Sequence, residues 1–156
     1  MSNKLNIAQI GVGYWGPNLL RNLVSNKDCV VNTVVDLSEE RRNFVKDLYP
    51  SVATTDQIDD VFYDAGIDAV LVSTPVESHF ELTMKALESG KHVLVEKPMA
   101  TEVKHVKQIG ELAKEKNLVA MVGHTFLFNS AVQYVKTLID SGELGDIRYI
   151  YSQRVN

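Results

Sequence analysis

A doubly wound α/β fold, a parallel sheet with helices on its faces, is predicted by three features of the 156-residue sequence. Short apolar, β-branched runs alternate with longer amphipathic stretches, the pattern of strand-helix-strand units. Several runs are apolar at nearly every position, as strands covered on both faces are. Between the first run and the first helical stripe lies Gly11-Val12-Gly13-Tyr14-Trp15-Gly16, a glycine turn of the kind that joins a strand to a helix in such a sheet.

In chain order, strands are expected over Leu5 to Ile10, Val30 to Asp36, Ala69 to Thr74, His92 to Glu96 and Leu118 to Val122, with a short one at Ser51 to Thr54. The helical stripes between them are Leu19, Leu20, Leu23 and Val24, then Phe44, Val45 and Leu48, then Phe80, Met84 and Leu87, and finally Val103, Val106, Ile109 and Ala113. Pro17 suits a first helical turn, and Ser38 and Thr101 suit N-caps. Thr54 and Gln57 have capping-box spacing, and Gly66 and Gly90 suit helix ends. After Gly123 the pattern changes. Ala131 to Ile139 is an isolated helical pattern, and Ile147, Tyr149 and Tyr151 alternate with Arg148, Ile150 and Ser152 like a half-buried strand. Residues 1–123 are therefore one domain, and 124–156 read as the connecting helix and first strand of a second.

The composition is that of an ordinary globular protein, 45% hydrophobic and 23% charged, and a net charge of -4 gives no general attraction to nucleic acid or anionic membrane. The single cysteine, Cys29, excludes an intrachain disulfide and a cysteine-built zinc site, and no metal site is expected. The N-terminus enters a strand at once, without a cleavable leader, and no run approaches the roughly 20 apolar residues of a spanning helix. These features give a cytoplasmic expectation.

In the glycine turn, Gly11 permits the sharp bend, Gly13 admits a pyrophosphate close to the backbone, and Gly16 lets the helix pack tightly. The helix start adds N–H donors and positive potential. Asp36 ends the second strand 20 residues beyond Gly16, where a carboxylate accepts hydrogen bonds from the adenosine ribose and repels a 2′-phosphate. NAD is therefore expected over NADP. Arg41 and Arg42 follow closely, and either can stack on adenine or meet a 2′-phosphate.

Two further strand ends carry polar groups, Ser73-Thr74-Pro75 followed by His79, and Glu96-Lys97-Pro98. Ligands of open parallel sheets bind outside the carboxyl ends of the strands, so both segments are expected in the crevice of the glycine turn. There Lys97 can donate a proton or polarise a hydroxyl, and Glu96 can position it or bond a ribose. His79, in the first turn of a helix, fits capping or packing as well as chemistry, and His92 and His105 are assigned no function. FAD and S-adenosylmethionine proteins share such glycine turns, but Thr74-Pro75 and Glu96-Lys97-Pro98 point away from them.

With these marks, joined by Gly90-Lys91-His92-Val93-Leu94-Val95-Glu96-Lys97-Pro98 and Gly123-His124, the chain resembles the Gfo/Idh/MocA oxidoreductase family over nearly its whole length. The resemblance implies a Rossmann domain from a two-domain enzyme. Such an enzyme moves hydride between a nicotinamide and a hydroxyl-bearing carbon of a sugar, inositol or nucleotide-linked sugar. It makes Lys97 the catalytic residue. It places Gly11, Gly13, Tyr14, Trp15, Gly16, Asp36, Arg41, Thr74, Pro75, His79, Glu96, Lys97 and His124 at the cofactor. It implies a small-molecule substrate and a homo-oligomer. The run Gly13 to Leu20 is similar to members associated with sugar nucleotides. Two departures stand out: Asn129-Ser130 where the family has Asn-Pro, and no counterpart of the family's substrate domain, which supplies an Asp and a His. A complete, non-catalytic nucleotide-responsive module, pairing its last strand with a partner, is the competing expectation.

Overall fold

Strands form where the β-branched runs lie: β1 Leu5–Ile10, β2 Cys29–Val35, β3 Ala53–Thr55, β4 Ala69–Val72, β5 His92–Val95 and β6 Ala120–Val122. The helices are α1 Gly16–Ser25, α2 Glu39–Leu48, α3 Asp59–Phe62, α4 His79–Glu88, α5 Val103–Glu115 and α6 Ser130–Asp140. The computed structural model describes residues 4–153 and 155. All six strands pair in parallel, in the order β3-β2-β1-β4-β5-β6. The chain winds outward from β1 to β3, then crosses back to β4 beside β1 and winds the other way. The reversal leaves a crevice at the carboxyl ends of β1 and β4.

The sheet is covered on both faces, because adjacent strand residues point to opposite sides. Val34 shares a buried cluster with Leu20 of α1 and Val45 of α2, while its neighbour Val35 belongs to the cluster on the other face, with Val61, Leu87 and Ile109 of α3, α4 and α5. A bulge in β2 interrupts the alternation: Ile7 pairs with Val31 but Ala8 with Thr33. Asn32 is skipped, and Val31 and Val34, three apart in sequence, share the α1/α2 cluster.

Helix ends follow the expected chemistry in part. Pro17 lies in the first turn of α1, the Ser38 hydroxyl accepts the Arg41 N–H, and Gly90, at φ +80°, follows α4. Thr101 does not cap α5, which starts at Val103 after Glu102 without a side-chain cap. At α3 the polar contacts belong to Thr55 rather than Thr54, since the Thr55 hydroxyl accepts the Gln57 N–H and bonds Asp60. Gly66 lies beyond the end of α3, in a turn where its N–H meets the Asp64 carboxylate.

Lys91 is buried at 3% exposure, and its ammonium donates to the Asp64 and Ile67 carbonyls at 2.6 and 3.0 Å. Burial pushes its pKa below the ordinary lysine value, against the opposing pull of Asp64 and Asp68. The unfolded chain then holds this proton to higher pH than the folded one, so stability rises with pH between the lowered value and 10.5. In denaturant titrations from neutral pH upward, the wild type should gain stability relative to Lys91→Met. A pH-independent difference would show that the ammonium is not held at a cost.

The described residues divide into two compact units, one through Gly123 and one from His124. In the second, a 3₁₀ turn at Thr125–Phe128 precedes α6, whose first N–H groups, of Ala131 and Val132, bond the Asn129 side chain. The departure at Asn129-Ser130 is thus a working N-cap. The strand expected around Ile147 to Tyr151 does not form: these residues lie in no helix or ladder, and Ile147, Tyr149, Ile150 and Tyr151 are exposed. Alternating apolar residues make a strand only beside a partner edge, and none lies beside them among the described residues.

Candidate functional site

The glycine turn is pinned by its surroundings. The Gly11 N–H donates to the Val35 carbonyl at 2.7 Å, and its φ of +90° is one that side-chain-bearing residues rarely adopt. A Cβ there would lie 2.8 Å from the Ser73 carbonyl oxygen and 2.9 Å from the Thr74 methyl. At Gly16 a Cβ would lie 2.9 Å from the Gly11 oxygen. The loop therefore folds down onto the end of β4 with no room for a side chain at Gly11 or Gly16. Tyr14, 98% exposed, and Trp15 form its crest. Among the described residues, the N–H groups of Gly13, Tyr14 and Trp15 have no acceptor. They open at the start of α1, where the helix dipole favours an anion.

Asp36 follows β2 and is 8% exposed. Its Oδ2 accepts the Val12 N–H at 2.8 Å and its Oδ1 accepts the Ser38 N–H at 2.9 Å, so the carboxylate is held by the loop on one side and by the start of α2 on the other. The two arginines that the sequence left equivalent separate here. Arg42 is structural, donating to the Asp36 and Leu37 carbonyls at 2.7 and 3.0 Å. Arg41 reaches over the crevice, its Nη1 3.8 Å from Asp36 Oδ2 and 3.5 Å from where a Gly13 Cβ would stand.

The opposite wall comes from the ends of β4 and β5. The Glu96 N–H donates to the Val72 carbonyl, and Gly123 is so close that a Cβ there would lie 2.9 Å from Glu96 Oε1. Thr74 Oγ1 shares a 2.7 Å hydrogen bond with Ser78 Oγ. The Lys97–Pro98 peptide is cis, the Lys97 N–H donates to Glu96 Oε2 at 3.2 Å, and the exposed Lys97 ammonium has no partner among the described residues. His79, 2% exposed, faces inward at the start of α4 with Nδ1 2.8 Å from the Pro98 carbonyl oxygen and Nε2 2.8 Å from that of Thr74. Both neighbours are carbonyl acceptors and a ring with one N–H donates to one of them, so His79 is seated between the loops bearing Thr74-Pro75 and Lys97-Pro98 with a hydrogen bond to one. His92 accepts the Val119 N–H and His105 stacks on Phe80 at 3.9 Å between ring centroids. His124 begins the second unit, where its carbonyl accepts the Leu127 N–H.

One residue that sequence reasoning passed over belongs to the site. Gln9 has no exposed surface and bonds the carbonyls of both Gly11 and Gly16. A polar residue within the apolar run of β1 was the available signal.

The arrangement fits a dinucleotide: a cradle closed to side chains at Gly11 and Gly16, unpaired N–H donors above it, and a fixed carboxylate at the next strand end. A family model described as an oxidoreductase family with an NAD-binding Rossmann fold matches residues 5–124. An uncharacterized oxidoreductase of Escherichia coli (strain K12), YdgJ, is 31% identical over 97% of this chain and 43% of its own length. The scyllo-inositol 2-dehydrogenase (NAD(+)) of Bacillus subtilis (strain 168) is 31% identical over 93% of this chain and 43% of its own. Among solved structures, scyllo-inositol dehydrogenase from Lactobacillus casei with bound NAD(H) and scyllo-inositol superposes with a TM-score of 0.85 at 25% identity, covering 93% of this chain and 43% of that one. The chain thus spans less than half the length of each of these three proteins.

Proposed function

The chain belongs to the Gfo/Idh/MocA oxidoreductase family as its NAD-binding Rossmann domain, and from that premise we propose that it binds NAD in preference to NADP as the cofactor-holding part of a sugar- or polyol-type dehydrogenase. The observation that carries the reading is the convergence of the glycine cradle, Asp36 and the Glu96-Lys97 pair on the carboxyl ends of neighbouring strands.

The nicotinamide, when bound, supplies the hydride chemistry. In this reading Gly11, Gly13 and Gly16 let backbone approach the pyrophosphate, with Tyr14 and Trp15 presenting the N–H groups that receive it. Asp36 accepts from the adenosine ribose, and Arg41, lying over Gly13, flanks the adenosine side. On the other wall Thr74, Pro75 and Glu96 border the nicotinamide side, with Glu96 orienting Lys97. Lys97 moves a proton to or from the hydroxyl of the reacting carbon. His79 contributes as the side chain seated between the two loops. The inositol dehydrogenases among the similar proteins support a polyhydroxylated substrate. Residues 124–156 would open a substrate-binding part.

Calorimetric titration of the chain should show NAD binding tighter than NADP by about tenfold or more, the worth of one charge-assisted hydrogen bond. Heat with neither dinucleotide would overturn the reading, and a preference for NADP would reverse the role given to Asp36.

A further inference from the structure

Gln9 stands between Ala8 and Ile10, both buried, and is itself fully buried. Its Nε2 donates to the Gly11 oxygen at 2.9 Å and the Gly16 oxygen at 3.0 Å, and lies 3.3 Å from Ser73 Oγ. Ser73 Oγ in turn donates to the same Gly11 oxygen at 2.7 Å. Two carbonyls fix the orientation of the amide, since turning it over would set oxygen against oxygen. Its own Oε1 has no partner among the described residues, which is a cost that an apolar side chain of the same shape would not carry. The amide thus carries one unsatisfied atom while serving two loop carbonyls, so what it holds is the shape of the loop. The other end of the Gly11–Val12 peptide is held as well, by the Val12 N–H bond to Asp36. Without the amide and hydroxyl beneath it, this peptide is freer to rotate and turn the Gly11 oxygen toward the anion-binding side.

Resting on the reading that the loop takes a dinucleotide, we propose that Gln9 and Ser73 are positioning residues for its pyrophosphate. They hold the Gly11 carbonyl beneath the loop so that the N–H groups of Gly13 to Trp15 stay turned to the phosphates.

The test is NAD affinity by calorimetry together with thermal unfolding, on the 156-residue chain and its variants. Gln9→Met keeps the length and volume of the side chain and removes both its donors and its unpaired oxygen. Its melting temperature should fall little, because Ser73 Oγ still serves the Gly11 oxygen and the unpaired Oε1 is gone, while its Kd for NAD weakens about tenfold, the scale of one or two lost hydrogen bonds. Ser73→Ala should weaken NAD about threefold, and Ser73→Thr, which restores a hydroxyl, should recover the affinity. Affinities within about twofold of wild type in both Gln9→Met and Ser73→Ala overturn the proposal, as does a loss of affinity seen only in step with a fall in melting temperature. If Gln9→Met does not fold, the two Ser73 variants decide. A wild-type chain that binds no NAD overturns the dinucleotide reading itself and this proposal with it, an outcome seen before any substitution is made.

Discussion

Lys97→Met should slow hydride transfer in the complete enzyme by about 10²–10⁴-fold, the usual contribution of a positioned proton-transfer group, while leaving the Kd of this chain for NAD within about twofold. The structure supplies the reason for expecting the two effects to separate. The ammonium is exposed and makes no ion pair or hydrogen bond among the described residues, so removing it breaks nothing in the fold. The backbone contact that fixes the loop, from the Lys97 N–H to Glu96 Oε2, survives the substitution. Methionine keeps the reach of the side chain and deletes only the charge and the proton. Lys97→Arg sharpens the test, because a guanidinium keeps the charge but does not give up its proton at accessible pH. Stopped-flow measurement of NADH formation should find Arg nearly as slow as Met if Lys97 transfers a proton. Recovery of most of the rate by Arg would assign Lys97 an electrostatic role instead.

Where several of these residues lie was legible in the sequence alone. The glycine turn, Asp36 and the Glu96-Lys97 pair lie at fixed places relative to apolar runs, and a parallel sheet sends every strand's carboxyl end to one edge. What was not legible depends on contacts distant in sequence. Nothing in the local pattern separates Arg41 from Arg42, yet one stands over the loop and the other ties down the end of β2. His79 reads equally as a ligand-facing or a packed residue until the Pro98 and Thr74 carbonyls are placed beside it. The bulge at Asn32 is not legible in the run Val30 to Asp36, because a strand mostly covered on both faces has no regular polar alternation to register a skipped residue. The expected strand near Tyr149 fails for the opposite reason: its alternation is clear, but pairing requires an edge that the sequence pattern cannot supply.

Asp36→Asn should reduce NAD affinity by about 10- to 100-fold, corresponding to the loss of charge-assisted hydrogen bonds worth about 1.5–3 kcal/mol. It should also shift the NADP-to-NAD preference toward NADP. Two consequences follow from the geometry and have to be separated. Each carboxylate oxygen accepts one backbone N–H, from Val12 and from Ser38. An asparagine has one carbonyl oxygen, so one of those donors faces an NH₂ group and is left unsatisfied at a largely buried position, costing about 1–3 kcal/mol of stability. That loss appears in denaturant unfolding without ligand. On the proposed reading both dinucleotides use the same loop, so the change in preference does not arise from it. It arises from charge: the carboxylate disfavours a 2′-phosphate, and the Arg41 guanidinium, 3.8 Å from Asp36 and half exposed, is directed toward that carboxylate. With the negative charge gone, Arg41 is released to face a phosphate instead. Asp36→Asn combined with Arg41→Ala should therefore retain the stability loss of the single variant but give up most of its gained preference for NADP. An NADP-to-NAD ratio that is the same in the single and double variants would show that Arg41 takes no part, leaving repulsion by Asp36 as the whole basis of discrimination.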